Sequence, residues 1–230
     1  MMIQSSTFRK HAIVAGSFFL LAAVASITGV LFYNEILHQD NYLLNHLAHE
    51  AQVAWGAFFE ILLAVSVVGT SVTLYPILKK QNESMAIGTV GFRLLEAAII
   101  LVGIICLLTV LSLKQDYAKE LQADNSSWLV AGKLLVAFHN WTFLYGPNLA
   151  LGPSTFMTGY LLHSSKLVPR SISLSGIIGG PLIFICAILV TFGVFPQVSV
   201  WGGLFAVPVF VYEMSLAVRL ILKGFSIIPE

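Results

Sequence analysis

Long apolar runs separated by short polar stretches dominate the chain, and six of them reach the roughly 20 residues that a helix needs to cross a bilayer. They cover residues 11 to 35, 51 to 78, 86 to 112, 134 to 162, 172 to 195 and 201 to 222. A lipid-exposed strand would leave its backbone groups unpaired, so these runs predict α-helices. The fold expected is all-α: a polytopic transmembrane bundle of six spans forming one integral membrane domain over residues 1–230. In the fourth run the stretch LYGPNLALGPS places Pro147 and Pro153 among glycines. Each proline removes a backbone donor, which predicts a kinked or broken helix there.

Composition supports this class. The chain is 57% hydrophobic and 10% charged, against roughly 25% charged in a soluble domain. A formal net charge of +1, with no long basic run, argues against a nucleic-acid partner. The lipid bilayer is the expected partner. Lys and Arg gather on one side of the spans, at Arg9, Lys10, Lys79, Lys80, Lys166, Arg170, Arg219 and Lys223. The other side has Lys114, Lys119 and Lys133, diluted by Asp116, Glu120 and Asp124. By the positive-inside rule both termini face the cytoplasm. Cys106 and Cys186 fall inside apolar runs, where thiols act as small hydrophobes, so no disulfide is expected.

Against this background, polar residues inside the spans stand out. In GFRLLEAAIILVG, Arg93 and Glu96 are three apart and share a helical face. At about 1.5 Å of rise per residue, Glu60 in the second span and Glu213 in the sixth lie near the same midplane level. Small residues flank both, Gly56 and Ala64 around Glu60, Ala206 and Ala217 around Glu213, and such faces favour close helix packing. Arg93 and Glu96 are therefore expected to turn inward and meet Glu60, Glu213 or both. Three carboxylates against one guanidinium leave an excess that only protons or a bound cation can neutralise. Two readings stay open. The cluster is a structural clasp between helices of a scaffolding or partner-binding protein, or it is the site of a small-molecule or proton-coupled transporter or ligand-binding membrane protein.

Two further groups are candidates. Asn140, Asn148 and Thr155 recur on one face of the fourth run beside the prolines. His46, His49 and Glu50 share a face just before the second span, and His139 lies at a comparable depth in the fourth. Imidazole and carboxylate are ligands for zinc and other divalent ions, so a metal at the outer face, and with it a metalloenzyme, is the third reading. No resident cofactor is otherwise expected. A nucleophile elbow, a P-loop, a dinucleotide fingerprint and a paired-cysteine motif are all missing from the sequence, which leaves an enzyme without its usual signs.

The stretch YPILKKQNESMAIGTVGFRLLEAAIILVG from Tyr75, with LLHSSKLVPRSISLSGIIGGP from Leu161 and LAVRLILKGF near the end, resembles the bacterial membrane proteins grouped as domain of unknown function 4386. The resemblance covers nearly the whole chain. It implies a single six-helix membrane domain, a plasma-membrane location, and an Arg and Glu pattern that falls on Arg93, Glu96, Glu60 and Glu213. It supplies no activity.

The charge asymmetry makes the topology testable. Reporter fusions at Lys80 and Lys166 are expected to read cytoplasmic, and fusions near Gln122 and Gln197 external. An external signal at Lys80 would overturn this orientation.

Overall fold

In the computed structural model, residues 6–38, 50–119 and 125–226 are described. They form seven α-helices and one π-helical segment: α1 (Ser6–His38), α2 (Glu50–Leu78), α3 (Glu83–Tyr117), α4 (Asn125–Leu144), the π segment (Tyr145–Ala150), α5 (Leu151–Ser164), α6 (Arg170–Thr191) and α7 (Val200–Leu222). Five of them, α1, α2, α3, α6 and α7, are long and apolar enough to cross a membrane. The sequence predicted six such runs. The difference lies in the fourth, where α4, the π segment and α5 follow one another as a composite helix. Pro147 sits inside the π segment, where its missing N–H fits a locally widened turn better than a regular α-helix.

The helices form a closed ring. Each packs on its neighbour in sequence, α3 also meets α5, and α7 returns to α1. Apolar residues cover the outside, among them Leu31, Val65, Ile105 and Leu134, each more than half exposed. Only hydrocarbon would satisfy such a surface, while buried charge lies within the ring, the reverse of a soluble domain.

Packing is uneven along the ring axis. The largest core cluster, with Phe19, Leu78, Leu161, Leu216 and Leu220, fills the end that carries the basic loops. There Asn82 caps α3 by accepting from the Met85 N–H at 3.0 Å. Arg9 of α1 donates to the carbonyls of Leu220 at 3.0 Å and Ile221 at 2.6 Å, capping the last turn of α7. Toward the other end the core divides into smaller clusters.

Glycines set the α5–α6 contact. A Cβ on Gly180 would lie 2.6 Å from both the Gly152 carbonyl oxygen and the Phe156 nitrogen, and backbone atoms cannot step aside. Gly91 of α3 has nothing within 4 Å of the same position. Gly180→Ala is therefore expected to cost about 1–3 kcal/mol through overpacking, whereas Gly91→Ala leaves stability unchanged or slightly higher. Melting temperatures of the two variants in mild detergent check this, and equal values would contradict the close approach.

Candidate functional site

Arg93 stands inside the ring with 4% of its surface exposed, and Glu96, one turn on, has 3%. Its guanidinium distributes its donors over three helices. Nη1 bonds Glu96 Oε2 at 3.2 Å in α3, Nη2 bonds Glu213 Oε1 at 2.7 Å in α7, and Nε donates to Ser154 Oγ at 3.1 Å in α5. Its carbon lies 5.9 Å from the centre of the Phe19 ring of α1, within cation–π range. Two ionised carboxylates against one guanidinium leave a formal charge of −1. Glu213 is the least enclosed member, with its side chain 18% exposed.

The cluster borders open space. A cavity of about 150 Å³ is lined by Ser26, Leu63, Arg93, Glu96, Phe210 and Glu213 among others. Ile27 and Phe210, which line it from α1 and α7, are 56% and 52% exposed, so two of its lining residues also belong to the apolar outer face.

Glu60 stands apart from Arg93. Tyr33 of α1 donates its hydroxyl hydrogen to Glu60 Oε1, and His139 Nε2 of α4 lies 3.9 Å from the same oxygen. The Tyr33 and His139 rings meet edge to face, with centroids 5.3 Å apart. Gly56 makes this possible, because a Cβ there would lie 2.5 Å from Tyr33 Cδ1. A second cavity, of about 10 Å³, adjoins Tyr33, Glu60 and His139. Ser26, Leu63 and Pro147 line both cavities, so the two polar groups are neighbours across a shared wall.

The remaining candidates scatter. Asn140 is exposed and Asn148 half-buried, and neither is among the residues lining the two cavities. The face expected to unite them with Thr155 presumes a regular α-helix, whereas the intervening π segment takes more residues per turn and shifts the phase. Thr155 is buried, and its hydroxyl has no hydrogen-bond partner. His46 and His49 lie outside the described residues, and Glu50 opens α2 with its side chain outside the description. His139 is 3% exposed and turned to Glu60. Among the described residues, no three metal-ligating side chains converge.

Sequence reasoning missed Tyr33, Ser26 and Ser154. A tyrosine at the end of an apolar run reads as an interfacial residue, and serines in such runs bond their own helix, so neither gives a signal of its own.

A model of the family described as domain of unknown function (DUF4386) matches residues 14–224. No curated protein and no solved structure matches the chain.

Pairing at Arg93 has a thermodynamic signature. Arg93→Met strands two carboxylates and is expected to cost about 3–5 kcal/mol. Adding Glu96→Gln and Glu213→Gln removes the stranded charge and should restore most of that loss in detergent unfolding. A triple variant no more stable than the single one would argue against the pairing.

Proposed function

The chain belongs to the DUF4386 family, whose description names no activity, and we propose from its site that it is a ligand-binding multi-pass membrane protein. The ligand is a small amphiphile bearing a positive charge, held at Arg93, Glu96 and Glu213. The observation that carries this reading is the cavity of about 150 Å³ beside a cluster of two carboxylates and one guanidinium. Its volume is well above the ~10–15 Å³ that a single water needs. A cationic group seated against Glu213 would neutralise the excess without removing either Arg93 bond, since a carboxylate has acceptor capacity to spare. The apolar rim at Ile27 and Phe210 suits a ligand whose remainder is hydrocarbon and which arrives through the bilayer.

A second reading is favoured by a different observation. The guanidinium already uses Nε, Nη1 and Nη2 on three helices, as a purely structural clasp would.

An alkylamine probe separates the two. Decylamine is expected to raise the melting temperature of the protein in nanodiscs, decanol to leave it unchanged, and Glu213→Gln to abolish the amine shift. A shift of equal size with decanol, or one retained in Glu213→Gln, would leave the clasp as the role of the cluster.

A further inference from the structure

Two buried polar atoms remain without a partner beside the proposed ligand site. Glu60 is 6% exposed and His139 3%, and neither Glu60 Oε2 nor His139 Nδ1 has a hydrogen bond. Each such atom is destabilising while it stays unsatisfied. Both residues line the small cavity, whose volume of about 10 Å³ is close to what one water occupies. Ser26 and Thr142 add hydroxyls to its wall.

We propose that Tyr33, Glu60 and His139 form a second site, which holds one water molecule and one exchangeable proton. This site stands whether or not the Arg93 cavity takes a ligand. Tyr33 donates to Oε1, so that oxygen is an acceptor and the exchangeable proton belongs on Oε2 or on the imidazole. Charge fixes the count. With one such proton, the pair is either carboxylic acid and neutral imidazole or carboxylate and imidazolium, and both forms are neutral overall. Without it the pair is −1, and with a second it is +1, and low dielectric disfavours both.

Transfer conserves atoms and charge. The proton leaves Glu60 Oε2 for the water while a water proton passes to His139 Nδ1, and the reverse step restores the acid. Among the described residues, nothing else titratable lines the cavity. Tyr33 comes from α1, Glu60 from α2 and His139 from α4, while α3 supplies Ile100 and Gly103 and the π segment Pro147. Arg93, Glu96 and Glu213 line the neighbouring cavity, across the wall shared through Ser26, Leu63 and Pro147. Losing the Glu60–His139 proton would set a negative charge beside a cluster that already holds two carboxylates against one guanidinium.

Infrared pH-difference spectroscopy and nitrogen-15 histidine NMR on the full chain in nanodiscs test this. The expected infrared spectrum contains a carboxyl band that Glu60→Gln removes, that His139→Gln and Tyr33→Phe shift, and that Glu213→Gln leaves in place. The His139 ring nitrogens, identified by their loss in His139→Gln, should change with pH together with that band. If Glu60→Gln does not fold, the shift in Tyr33→Phe identifies the band, because it deletes one donor and keeps the carboxyl. The proposal fails if no pH-dependent carboxyl band responds to the Glu60, Tyr33 or His139 changes. It also fails if the His139 nitrogens stay constant across the titration.

Discussion

A single guanidinium in a low-dielectric interior governs this bundle. Arg93 cannot shed its charge, so every donor it carries must be met inside the ring. The partners come from α3, α5 and α7, with Phe19 of α1 beneath. Buried ion pairs add little net stability compared with well-packed apolar residues, yet breaking one is expensive. The contribution of Arg93 is therefore selectivity among arrangements. A rotated α7 would leave a charge unmatched and a slipped α5 a donor, whereas apolar faces alone would tolerate several registers.

The same constraint explains the division of the interior. Apolar bulk fills the basic end, and both cavities lie in the part of the ring where Arg93, Glu96, Glu213, Glu60 and His139 sit. Charged and hydrogen-bonded side chains must meet in fixed geometry, which leaves gaps that branched aliphatics would otherwise close. The π segment adjoins both cavities through Pro147. Irregular backbone at membrane depth is tolerated where it is buried or lines a cavity, as it does here.

Much of the architecture was legible in the runs themselves, because a span of 20 apolar residues has few alternatives. The Arg93–Glu96 pair was legible too, since a spacing of three fixes a shared face. Depth brought Glu213 to the right level, and α7 happens to face Arg93. Glu60 lies at a similar depth yet points elsewhere, toward Tyr33 and His139. Rise per residue gives height but not azimuth, and azimuth depends on how neighbouring helices rotate. Depth likewise could not show that His139 turns toward Glu60. The shared face of Asn140, Asn148 and Thr155 was not legible because the prolines announced an irregular helix without saying which kind, and a π segment shifts the phase of Thr155 relative to Asn140.

Ring closure also sets an order of events during synthesis. The chain emerges from its N-terminus, so α3 is made while Glu213 does not yet exist. Until α7 follows, Arg93 has Glu96 as its one carboxylate partner, and the α1 end carries Arg9 with no carbonyls of α7 to cap. The last helix supplies both missing partners at once, 120 residues after Arg93 and more than 200 after Arg9. Before α7 inserts, the ring lacks the helix that joins α6 back to α1, and its insertion closes that gap. Any cellular machinery that inspects unpaired intramembrane charge would see Arg93 joined to Glu213 only once α7 is in place.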